Sequence, residues 1–113
     1  MSKGNAVFKA PPLEVETALT RLGANLRTAR LARNLSMDHV AAKLGVGRRA
    51  IAAAEAGKPG TAVGVYLGLL WTYGLLSQVG ELADPGRDEA VLRTLRQREH
   101  AYPPGTGALD SDF

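Results

Sequence analysis

Two adjacent arginines, Arg48 and Arg49, follow the glycine turn "GVG" (Gly45 to Gly47) and precede a run with five alanines between Ala50 and Ala56. Guanidinium groups grip guanine edges or phosphate, and alanine lets a helix come close to whatever it faces. The other reading of such a pair is a solvated basic face. Catalysis has little to draw on. His39 and His100 stand far apart in sequence, and the chain has no cysteine. No serine sits in a Gly-x-Ser-x-Gly turn, and the glycines match neither a phosphate loop nor a dinucleotide fingerprint. The expectation is a protein without enzymatic activity, catalytic residues, metal or cofactor.

The elements that must position these residues read as helices throughout. Val15, Leu19, Leu22 and Leu26 recur at intervals of four and three, with Ala29 continuing the stripe, and Asn34 suits the left-handed end of that first helix. Ser36 is placed to cap a short second helix, where Asp38 favours the positive end of its dipole, Val40, Ala41 and Leu44 face inward, and Gly45 stops it. A third helix follows from Arg48 to about Ala56, burying Ile51 and Ala54 and closing at Gly57. Short helices joined by a three-residue glycine turn form the helix-turn-helix pattern, here about residues 36–57. Ala41, Gly45 and Ala54 are the small residues expected to let these helices cross closely.

Thr61 is positioned to cap a fourth helix carrying Ala62, Val65, Tyr66, Leu69, Leu70 and Tyr73 on a broad apolar stripe that ends at Gly74. Of Trp71 and Tyr73, one is expected to pack inward. A fifth helix is expected from Ser77 to Leu82. "ADPGRDEA" then breaks the chain, with Asp84 or Asp88 as cap of a last helix on which Val91, Leu92 and Leu95 form a narrow strip. The expected organisation is a loose arm at 1–13, a domain at 14–83, a C-terminal helix at 84–100 and a disordered tail at 101–113.

Composition allows one small core: 113 residues, 45% hydrophobic and 22% charged. No apolar run approaches the roughly 20 residues of a membrane span. The N-terminus has no apolar signal core, and the lack of cysteine suits a reducing compartment, so a soluble cytoplasmic protein is expected. Net charge is only +3, but it is unevenly spread. From Thr17 to Gly60 eight basic residues face two acidic ones, a balance of +6, and the remaining six basic and nine acidic residues give −3. Positive charge gathered in one segment is the footprint of a phosphate-facing surface.

The stretch "NLRTARLARNLSMDHVAAKLGVGRRAIAAAEAGKPG" resembles the Xre family of DNA-binding proteins, which includes the phage Cro and cI repressors. The matching features are Arg30 in the first helix, "LS" before the second, "LGV" at the turn, and Ile51, Glu55 and Gly57 at the spacing I-x-x-x-E-x-G; the likeness runs from Leu22 to about Leu82. It implies a five-helix, all-α, lambda-repressor-like domain, here with an additional C-terminal helix. It also implies an ion pair between Arg30 and Glu55 that ties the first helix to the third, and a third helix lying in the major groove of double-stranded DNA. The groove-facing positions would be Gly47, Arg48, Arg49 and Ala53. Met37 stands where a phosphate-binding glutamine is usual. Its side chain cannot bind phosphate, although a backbone N–H at a helix start can. Lys43, Lys58 and Arg27 are candidates for phosphate or for solvent.

"GKPGTAVGVYLGLLWTYGLLSQVGELADPGRDEAVLRTLR" further resembles the HipB-like antitoxins, which repress their own promoter and bind a HipA-like kinase toxin. The resemblance implies a homodimeric transcriptional repressor, with Leu75, Leu76, Val79 and Leu82 as candidate dimer contacts. A second reading stays open: a protein-interaction module that binds a toxin and whose helix-turn-helix has lost most of its hold on DNA.

Overall fold

The computed structural model describes residues 10–101, so the expected arm up to Lys9 and the expected tail from Tyr102 lie outside the described residues. Every regular element among the described residues is helical: α1 (Leu13–Ala32), α2 (Met37–Leu44), α3 (Arg48–Glu55), α4 (Val63–Thr72), a 3-10 helix (Leu76–Glu81), a 3-10 turn (Pro85–Arg87) and α5 (Glu89–Ala101). The chain divides into two compact units, with the change from one to the other after Ser77.

In the first unit each of the four α-helices ends in the same way. Asn34, Gly45, Gly57 and Gly74 take φ values of 56°, 71°, 70° and 75°. The next N–H reaches back five residues in each case: Leu35 to the Arg30 carbonyl, Val46 to Ala41, Lys58 to Ala53 and Leu75 to Leu70, at 2.8–3.2 Å. Such left-handed terminators satisfy carbonyls that would otherwise lack partners and turn the chain sharply. At the start of α2 the Ser36 hydroxyl accepts the His39 N–H at 3.0 Å, as its residue type requires.

Leu26, Val40, Ile51 and Leu69 are the largest fully enclosed side chains, with Ala41, Ala54, Tyr66 and Tyr73 completing the core. Burying a Leu, Ile or Val side chain contributes about 1.5–3 kcal/mol, so α1 to α4 share one modest apolar centre. Tyr73 packs inward and Trp71 outward, at 4% and 56% exposure.

Four details depart from the sequence expectation. Val15 is exposed, because contact between α1 and the bundle starts near Leu19, whose carbonyl lies against Gly57. Close approach belongs to Gly23 and Gly57 rather than Gly45: a Cβ on Gly23 would lie 2.5 Å from the Glu55 carbonyl oxygen, whereas one on Gly45 would meet open space. Gly45 is needed for its left-handed φ alone. Thr61 does not cap α4; Ala62 holds the N-cap position, and Thr61 Oγ1 is buried without a hydrogen-bond partner. The expected fifth α-helix is the 3-10 helix Leu76–Glu81.

In the second unit the two aspartates divide the capping between them. Asp84 Oδ1 accepts the Gly86 N–H at 3.0 Å and starts the Pro85–Arg87 turn, while Asp88 Oδ1 accepts from Ala90 and Val91 and starts α5. Val91, Leu92 and Leu95 are half-buried on α5.

Candidate nucleic-acid interface

An eight-residue helix such as α3 is too short to hold its shape alone, so neighbours must place it. Ile51 and Ala54 anchor one side in the core. Gly23 brings the backbones of α1 and α3 into direct contact. Arg30 closes the attachment: its Nε donates to Glu55 Oε2 at 2.6 Å and its Nη2 to Glu55 Oε1 at 3.0 Å, while Nη1 donates to the Leu35 carbonyl at 2.9 Å. The guanidinium thus binds the end of α3 and the terminator of α1 together. The hydrogen bond to Glu55 raises the Arg30 pKa above the ordinary arginine value against the opposing cost of burial, so the cation persists at every physiological pH.

Tyr73 lies in the field of this pair. Burial foremost, then the Glu55 charge, raises its phenol above the ordinary 10.0. Its hydroxyl is buried without a hydrogen-bond partner, whereas the Tyr66 hydroxyl donates to the Lys58 carbonyl at 3.1 Å and fixes the loop that leaves α3.

This scaffold leaves the start of α3 in solvent. Gly47, Arg48 and Arg49 are exposed and Ala53 is half-buried. Arg49, Ala53 and Lys58 share an open depression of about 560 Å³, with Ala50, Pro59 and Val65 among its other walls. Arg48 is drawn instead to α2, where its Nε lies 3.8 Å from Asp38 Oδ1. Lys43 is exposed and sets its ammonium 5.2 Å from the centre of the Trp71 ring on α4, a cation–π contact. Met37 is half-buried and its side chain packs against the core. Arg27 is exposed on α1.

The close approach at Gly23, the Arg48–Asp38 contact and the Lys43–Trp71 contact were not read from the sequence. A glycine inside a helical stripe does signal a tight crossing, and Gly23 carries that signal. The other two join residues 10 and 28 positions apart through tertiary structure.

Fold and site together define an all-α helix-turn-helix domain, followed by a C-terminal helix, with a basic, alanine-rich second helix in the motif. Comparisons with protein-family models, curated proteins and solved structures find no match. Among the described residues no helix is long and apolar enough to cross a membrane, and no group of three or more His, Cys, Asp or Glu could hold a metal ion.

Proposed function

We propose that this chain is a sequence-specific DNA-binding transcriptional regulator, a homodimeric repressor that sets α3 in the major groove. The observation that carries this reading is a rigidly attached helix whose first two residues are exposed arginines, with Lys58 beside the second. Residues at the start of a recognition helix meet base edges, and arginine is the residue that best reads guanine there. Ala53 offers only contact with a thymine methyl, so two half-sites brought together by dimerisation supply the rest of the specificity.

Binding to duplex DNA taken from upstream of the chain's own coding sequence, against a scrambled duplex across a salt series, tests the proposal. Tight binding by the wild type, with a large preference that the Arg48→Ala/Arg49→Ala variant loses, supports it. Each bidentate arginine–guanine contact supplies about 1–3 kcal/mol of discrimination, so losing both should cost about 2–6 kcal/mol, roughly 1.5 to 4 orders of magnitude in preference. Equally weak binding of both proteins to both duplexes would refute it.

A second role, as an antitoxin holding a HipA-like kinase toxin, has support in the second unit, where Leu82 is 72% exposed and α5 is amphipathic. Truncation after Asp84 should then abolish toxin binding.

A further inference from the structure

Arg48 and Arg49 are neighbours in sequence but differ in their surroundings. Arg49 lines the depression with Lys58 and has no ion-pair partner among the described residues, whereas Arg48 has a carboxylate at its Nε edge. That carboxylate belongs to Asp38, the second residue of α2, so the pair spans the two helices of the motif. Both side chains are well exposed, at 67% and 77%. Such a contact adds little to stability. Its effect must be sought in what it does to the arginine.

An unrestrained exposed arginine samples many rotamers and loses that freedom when it binds a base. At 3.8 Å the Asp38 charge is an electrostatic bias rather than a hydrogen bond: it favours guanidinium orientations that keep the Nε edge near α2 and engages neither Nη1 nor Nη2, the two donors that a bidentate contact with guanine O6 and N7 needs. The same carboxylate disfavours phosphate. Together with Met37, whose side chain is turned to the core, it makes the start of α2 a poor anchor for non-specific DNA.

We infer that Asp38 is a specificity-determining residue that positions Arg48 for guanine and penalises attachment through phosphate alone. This rests on the DNA-binding reading above. Asp38 touches no base itself; it acts through Arg48.

The test starts with selection from a random duplex library by the full-length wild-type chain. Dissociation constants are then measured for the preferred and a scrambled duplex with wild type, Asp38→Asn, Arg48→Ala and the double variant. Asp38→Asn should lower the specificity ratio about fivefold, the upper range of what one exposed ion pair delivers, through tighter binding to the scrambled duplex and weaker binding to the preferred one. In the Arg48→Ala background the same change should leave binding to the preferred duplex unweakened, because no arginine remains to be positioned. Thermal melts check folding, and Asp38→Ser, which keeps a polar residue at the start of α2, provides a second route to the same readout.

An unchanged ratio for Asp38→Asn, or equal weakening at the preferred duplex with and without Arg48, would overturn the inference while leaving DNA binding in place. Failure of the wild type to enrich any sequence would overturn the DNA-binding reading, and this inference with it.

Discussion

Replacing Gly23 by alanine asks whether α1 and α3 really meet backbone to backbone. In an isolated helix the change should stabilise, because alanine is favoured over glycine in a helix interior by about 1 kcal/mol. Here the new Cβ would lie 2.5 Å from the Glu55 carbonyl oxygen and 2.7 Å from that of Ala54, and neither atom is the tip of a flexible side chain. The helices must move apart, loosening Ile51, Ala54 and the Arg30–Glu55 fork together. Overpacking of this kind costs typically 1–3 kcal/mol, so the clash should exceed the propensity gain by up to about 2 kcal/mol. Gly64 in α4 is the control, since a Cβ there meets nothing within 4 Å. Thermal or urea unfolding should show Gly64→Ala unchanged or stabilised, and Gly23→Ala lower in Tm by several degrees, with about 4–8 °C expected per kcal/mol for a domain of this size. A rise in Tm for Gly23→Ala equal to that of Gly64→Ala would refute the close crossing.

Glu55→Ala strands the Arg30 cation in a site where the two side chains are only 8% and 3% exposed, and should cost about 3–5 kcal/mol in urea unfolding. The double variant Arg30→Met/Glu55→Leu should regain most of that loss; additive losses would show that the two residues do not act as a pair. Tyr73→Phe removes a buried hydroxyl with no partner and should stabilise by about 1 kcal/mol. It should also change the alkaline profile. With its folded pKa raised above 10.0, Tyr73 contributes stability that is complete below that pH and is lost as pH rises through the folded value. The phenylalanine variant should lose less stability above about pH 10, and parallel stability curves for the two proteins would count against the assignment.

Much of this architecture was legible in the sequence because its signals are local. Ser36 next to a polar first turn, and glycine or asparagine after each apolar stripe, locate helix ends without any knowledge of the fold. The Leu26, Ile51 and Leu69 positions follow from periodicity in the same way. Thr61 failed as a cap because the turn before α4 buries its hydroxyl, and composition does not report which side of a turn a side chain faces. The expected helix at Ser77–Leu82 became a 3-10 segment where "SQVGE" combines a β-branched residue and a glycine, both weak helix formers. Of the site, the exposed arginines and the Arg30–Glu55 tie were visible; the former follow from sequence position, the latter from the family resemblance. The partners of Arg48 and Lys43 were not, since both lie across helix boundaries that only tertiary structure brings together.

The alanine run raises the question of how so plain a helix could be specific, and its attachment supplies an answer. The end of α3 is held by backbone contact at Gly23, by two buried side chains and by a two-bonded ion pair, while its start is exposed and carries the arginines, with only the Asp38 carboxylate beside Arg48. Small side chains along its length therefore cost little rigidity, because the rigidity comes from α1. In the proposed complex this separates two kinds of loss. Substitution of Arg48 or Arg49 should weaken DNA binding and leave the melting temperature unchanged. Substitution of Gly23 or Glu55 should lower the melting temperature and weaken binding in proportion, although neither residue lies on the proposed DNA surface. Variants at Gly23 or Glu55 that melt early yet bind DNA as well as the wild type would show that α3 needs no such scaffold.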